Sequence, residues 1–196
     1  VCTHFKKVSH TEFACETDRG TDQLVVRPMG VRAISKAQQE AWAEVENNLR
    51  LLYVSEVSAF EGNGSYVTDL FAIGFEPLSG NRYAYYAEAP GRLRPASQSS
   101  GIPSYSIVPA DSRGSPGSTT PGSPQEVGCP VTSGTTPEGE AVGLGVTPSG
   151  KAFIGYAIGR WEGASSWDCW SVSSVDRVGK DGSLIPAGMP HRESEN

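Results

Sequence analysis

The chain has 196 residues, of which 37% are hydrophobic and 19% charged, with 23 Gly and 14 Pro. At about 100–200 residues per domain this is one domain with room for a core. A net charge of −6, from 16 Lys+Arg against 22 Asp+Glu, excludes basic-patch functions such as binding nucleic acid or an anionic membrane surface. Nowhere do 18 apolar residues run together, so the sequence predicts no membrane span, and Val1-Cys2-Thr3-His4-Phe5-Lys6-Lys7 is not followed by the apolar segment of a signal peptide.

Residues 1–33 are polar and mixed in charge, with turn signals at Asp18-Arg19-Gly20 and Pro28-Met29-Gly30. They are expected to be an irregular N-terminal segment or a hairpin. From Ser35 the pattern changes: Ser35 and Gln38 have capping-box spacing, and Ala37, Ala41, Val45, Leu49, Leu52, Glu56 and Phe60 follow at intervals of three and four. This predicts a helix of about seven turns that stops at Gly62-Asn63-Gly64. The stripe starts with Ala and ends with Leu and Phe, so the helix's C-terminal half should lie on the core.

Ser65–Gly74 carries Tyr66, Val67, Leu70, Phe71 and Ile73 and is too apolar for a free loop, and Arg82–Glu88 is an aromatic-rich strand. The composition then collapses into Pro, Ser, Gly and Thr between Pro90 and Pro137, most densely at Ser112–Pro124. Such a stretch buries too little apolar surface to offset its ordering entropy, which makes 95–127 a surface excursion. Ala141–Val146 and Ala152–Gly159, joined through Pro148-Ser149-Gly150, read as an antiparallel hairpin. Trp167–Ser174 reads as a strand with Trp170 and Val172 on one face and Trp167 and Cys169 on the other, and the tail from Gly179 is polar and punctuated by Gly and Pro. The fold class is α+β, one long N-terminal helix packed on an antiparallel sheet of about four strands.

The four cysteines, Cys2, Cys15, Cys129 and Cys169, are even in number and contain no C-x-x-C. That removes the usual redox and zinc patterns and favours disulfides, hence an extracellular compartment. Three pairings are open, of which Cys2–Cys15 with Cys129–Cys169 is the most economical.

Candidate chemistry is sparse. His4, His10 and His191 all lie in polar terminal segments, and neither a nucleophile elbow nor a phosphate loop occurs. Glu162 and Asp168 flank Trp161, Trp167 and Trp170, which could form a hydrolytic pair, though solvated carboxylates match so loose a template equally well. The three tryptophans are the best candidate ligand face, of a kind that holds sugars. Asp176, Asp181, Gly182 and Asp69 lack the spacing of a calcium loop and read as turn chemistry. No catalytic residue, metal or cofactor is expected.

Three stretches taken together carry a resemblance: Glu46-Asn47-Asn48-Leu49-Arg50-Leu51-Leu52-Tyr53-Val54 through Phe60-Glu61-Gly62-Asn63-Gly64-Ser65-Tyr66, then Ile73-Gly74-Phe75-Glu76-Pro77, then Gly80-Asn81-Arg82-Tyr83-Ala84-Tyr85-Tyr86. Their order resembles the globular region of type IV pilins from myxobacteria and related deltaproteobacteria. Ala152–Gly159, Trp167-Asp168-Cys169-Trp170-Ser171-Val172 and Ile185-Pro186-Ala187-Gly188-Met189-Pro190 are similar to that family's last strands and tail.

The resemblance implies a pilin-like globular domain over 34–190, with a polar tail at 191–196, in a non-enzymatic subunit of a surface filament. Its partners would be copies of itself or a separate short hydrophobic helix chain, as in a split pilin. Subunit packing would then fall on Ala37, Ala41, Val45, Leu49 and Leu52, with Val31–Val45 meeting the partner helix. The alternative is a secreted pilin-like binding module that recognises a glycan or protein through Trp161, Trp167 and Trp170.

Overall fold

The structure, a computed structural model, describes residues 4–7, 13–17, 20–24, 35–77, 80–94, 104–111, 120–130, 133–161, 164–179 and 182–193. The chain divides into two compact units, Val1–Ser35 and Lys36–Asn196. In the first, His4–Lys7 (β1), Phe13–Thr17 (β2) and Gly20–Leu24 (β3) form a three-stranded antiparallel sheet in chain order. The sequence predicts at most one hairpin here. Thr17 pairs with Gly20 at the Asp18-Arg19-Gly20 signal and Phe5 with Cys15, so two hairpins share β2.

The second unit opens with the helix α1 (Lys36–Asn63). The strands after it are Tyr83–Tyr86 (β4), Ile107–Val108 (β5), Gly134–Thr135 (β6), Ala141–Val142 (β7), Gly145–Val146 (β8), Phe153–Gly159 (β9), Asp168–Ser173 (β10), Arg177–Val178 (β11), Leu184–Ile185 (β12) and His191–Arg192 (β13). The main sheet runs β13-β10-β9-β4-β5 with β8 added against β9, and a smaller sheet runs β12-β11-β6-β7. Every paired strand is antiparallel. One helix on antiparallel sheet is the α+β arrangement, with more strands than the four expected.

The period of α1 explains its seat. Ala41, Val45, Leu49 and Leu52 have no accessible surface and pack with Tyr83, Tyr85, Phe153, Ala157, Trp170 and Val172. Burying each Val or Leu is worth about 1.5–3 kcal/mol, so this stripe holds the helix to the sheet. The sheet's other face carries Ala84, Tyr86, Ile107, Ile154, Tyr156, Ile158 and Cys169, which cluster with Cys129, Val142 and Ala152. Two-sided cover is why β9, FIGYAIG, is buried at all seven positions instead of alternating. Gly155 permits the close approach of α1: a Cβ there would stand 2.7 Å from Leu52 Cδ2.

Three expectations are corrected. The run 141–146 is divided, β7 pairing with β6 in the small sheet and only β8 pairing with β9. Gly145, at φ +98, sits in backbone space that few other residues adopt, and the chain changes sheets around it. The Pro/Ser/Gly-rich stretch is not all surface: Tyr105, Ile107, Val108 and Cys129 are buried, with β5 completing one edge of the main sheet. The densest part of that stretch, 112–119, lies outside the described residues. The C-terminal stretch, finally, is strand-forming, since β12 closes on β11 and β13 pairs with β10.

Candidate functional site

With both sheet faces covered, the polar groups that matter are those the fold has drawn inside. Asp168, the first residue of β10, has no accessible surface. Its Oδ2 accepts hydrogen bonds from Tyr83 Oη and Trp170 Nε1, both at 2.7 Å, and its Oδ1 accepts one from Arg192 Nε at 2.6 Å. One carboxylate thus ties β4, β10 and β13 together. The Arg192 guanidinium also lies 4.5 Å from the centre of the Trp42 ring, and Trp42 meets Trp161 and Trp170 edge to face, each at 6.3 Å. Burial, reinforced by the Asp168 carboxylate, pushes the Tyr83 phenol far above its ordinary range, so it remains a donor at every physiological pH.

A second buried group holds the C-terminal strand. Arg177 Nη1 donates to Ser171 Oγ at 2.8 Å and to Glu193 Oε1 at 3.1 Å, and Ser171 donates to the same Glu193 oxygen. The ion pair has side-chain exposures of 0% and 2%. Removing one partner of such a pair leaves a buried charge and costs about 3–5 kcal/mol, which makes it a strict geometric constraint. On the sheet's other face a disulfide joins Cys129 to Cys169 across 40 positions, pinning the end of the Pro/Ser/Gly-rich stretch to β10.

Glu56 differs from these. It is fully buried near the end of α1, where Oε2 accepts the Val67 N–H at 3.2 Å, and among the described residues nothing hydrogen-bonds Oε1. Desolvation pushes its carboxyl up to about 7, against the lowering effect of the Val67 bond. Beyond the end of the helix, a cleft of about 710 Å³ is lined by Phe60, Thr136, Glu138, Lys151 and Asp176. Its cation is committed, since Lys151 Nζ donates to the Gly64 carbonyl at 2.8 Å and lies 5.2 Å from the Phe60 ring centre.

The structure separates the three candidate tryptophans. Trp161 and Trp170 belong to the helix side of the sheet, where Trp170 is buried, while Trp167 packs on the opposite face with the Arg160 guanidinium 3.9 Å from its ring centre. They do not make one ligand face. The strand alternation of β10 carries this signal, because Trp167 and Trp170 are an odd number of residues apart. Asp168, with three donors and no exposure, is not placed to protonate or attack a substrate; Glu162 lies outside the described residues, as do Asp181 and Cys2, and the side chain of Cys15 is not described. The remaining carboxylates of the calcium set do turn chemistry: Asp69 Oδ1 accepts from the Phe71 and Ala72 N–H groups, and Asp176 Oδ1 from that of Ala187.

Of the helix positions expected at a subunit contact, Ala41, Val45, Leu49 and Leu52 are spent on the chain's own sheet, while Ala37 is half-buried and Val31 lies outside the described residues. The outer side of α1 instead exposes Leu51 at 43% and Val54 at 58%. Trp42, the hub of the aromatic cluster, lies beside the apolar stripe and escapes a search for tryptophans near carboxylates. Arg177 and Glu193 escape it too, because strand-end charges read as solvated until their partner is known. Among the described residues no helix is long and apolar enough to cross a membrane. The family described as Type IV pilin PilA matches residues 34–163 of the chain. No curated protein matches it.

Proposed function

We propose that this chain, which belongs to the type IV pilin PilA family, is the globular subunit of an extracellular filament that serves adhesion and motility. The family is structural and non-enzymatic, and membership implies polymer assembly into a pilus. The match over residues 34–163 carries the reading, because it takes in α1 and four strands of the sheet the helix packs on, β4, β5, β8 and β9. The stripe at Ala41, Val45, Leu49 and Leu52 serves this chain's own core, so contact with a neighbour falls on Ala37 and on Leu51 and Val54 of the outer side. In the split arrangement that neighbour is a separate short hydrophobic helix chain.

Surface fibres sheared from the source cells, imaged by electron microscopy and dissociated for intact mass spectrometry, test this. Fibres that contain this chain support the subunit reading, and a second, short apolar chain at constant ratio supports the split arrangement. Fibres without this chain, or this chain recovered only as a monomer, would sink both.

A further inference from the structure

The stop signal of α1 carries more than a stop. Asn63-Gly64-Ser65 is the one Asn-x-Ser/Thr triplet in the sequence, its middle residue is not Pro, and Glu61 stands two positions before the Asn. The triplet is the acceptor pattern for N-linked glycosylation, in which the hydroxyl at the third position is what the transferase grips. A carboxylate two residues earlier extends that pattern to the form read by transferases that act on already folded proteins. We propose that Asn63 is a site of N-linked glycosylation in the exported protein.

The fold presents the triplet as an acceptor must be presented. Glu61, Gly62, Asn63 and Gly64 are all exposed and Ser65 is half-buried, and Asn63 is the last residue of α1. Among the described residues nothing hydrogen-bonds the Asn63 amide or the Ser65 hydroxyl. A Cβ placed on Gly62 or Gly64 would meet nothing within 4 Å, so both sides of Asn63 are open to a large catalyst. The transferase must bend the acceptor out of helical geometry. Gly62 weakens the last turn, and Gly64, at φ +75, already turns the chain out of the helix. Within the triplet, Gly64 N–H on the Phe60 carbonyl at 2.7 Å and Lys151 Nζ on the Gly64 carbonyl at 2.8 Å are bonds that such bending has to open, while just beyond it Tyr66 N–H on the Gly150 carbonyl at 2.8 Å holds the chain in place. Fraying can therefore stay local to the acceptor while the sheet remains folded.

The reaction balances without a redox partner. The co-substrate is an oligosaccharide linked through diphosphate to a polyprenyl lipid. The Asn63 amide nitrogen attacks C1 of the first sugar, the new C–N bond replaces the C–O bond to diphosphate, the lipid diphosphate leaves with the electron pair, and the amide gives up one proton to a base of the transferase. The Cys129–Cys169 disulfide is in keeping with an exported chain, where such transfer takes place. Filament formation is not required, so failure of one idea leaves the other standing.

The test is tandem mass spectrometry of the tryptic peptide Leu51–Arg82 from protein recovered from its source cells, as wild type and as N63Q, S65A and S65T. Carbohydrate mass on Asn63, lost in N63Q and in S65A but kept in S65T, is the expected result. The S65A variant keeps the modified side chain and loses only the recognition element, and circular dichroism equal to wild type shows that it is folded. An unmodified peptide, deamidation of Asn63 alone, or carbohydrate that persists in N63Q would each overturn the proposal.

Discussion

Glu56 sits where a carboxylate is hardest to keep, with no accessible surface, one N–H donor at 3.2 Å from Val67, and Oε1 without a partner among the described residues. Its folded-state value of about 7, against 4.5 for a free glutamate, means that the folded protein retains a proton which the unfolded chain has already released. Between these two values the unfolded state binds fewer protons, so stability falls as pH rises from about 4.5 to about 7 and is level above that. At about 1.4 kcal/mol per pH unit, the loss amounts to roughly 3 kcal/mol. Glu56→Gln keeps the shape and an oxygen for Val67, and cannot ionise. Against the gain stand two amide N–H groups in a site that provides no acceptor, a cost of about 1–3 kcal/mol. The variant should therefore be equal to or less stable than wild type at pH 5, and gain on it by about 2–3 kcal/mol relative to that baseline by pH 8, part of the full loss having already occurred below pH 5. Urea melts of both proteins at pH 5, 6, 7 and 8 measure the difference, in which every other titrating group cancels. Parallel stability curves would refute the reasoning, because they would mean that Glu56 ionises without a penalty and is hydrated in solution.

The other expectations concern the disulfide, a close approach and the outer helix face. Cys129→Ser with Cys169→Ser should cost about 4 kcal/mol from loop closure over 40 positions, read as a lower urea midpoint than that of the oxidised wild type. Gly159→Ala would put a Cβ 2.7 Å from the Arg82 carbonyl and 2.6 Å from the Tyr83 ring, and should cost about 2–3 kcal/mol in thermal melts, since backbone and a packed ring both have to move. Leu51→Lys with Val54→Lys, at exposures of 43% and 58%, should alter stability by no more than about 0.5 kcal/mol per site while abolishing fibres in micrographs; normal fibres would remove this face from the contact.

How far the sequence reveals this molecule depends on the distance over which each feature is decided. The helix is legible because a stripe at intervals of three and four is a local property, and Ala41, Val45, Leu49 and Leu52 are buried as their spacing requires. The central strands are legible from apolar density, and the alternation of Trp167 against Trp170 foretells their separation by the sheet. Two-residue strands are another matter. Gly134–Thr135 and Leu184–Ile185 have no period to detect, and exist because Arg177 and Val178 lie between them as partners.

The buried charges are the least legible part, and they bear most directly on what the subunit does. Asp168 reaches Tyr83 across 85 positions and Arg192 across 24, and Arg177 reaches Glu193 across 16. No window of sequence distinguishes those side chains from solvated ones. Once paired, they fasten β4, β10 and β13 to one another by bonds that a sliding or rotating strand would break, each break leaving an ion without its partner in a dry interior. A filament subunit bears load through its neighbours, and apolar packing alone is non-directional and resists shear poorly. Directional ties at the strand ends, with a covalent tie from Cys129 to Cys169 on the opposite face, supply the resistance that the apolar core lacks. In the proposed filament, that leaves the exposed outer side of α1, with Leu51 and Val54, as the face that would set which neighbour the subunit accepts.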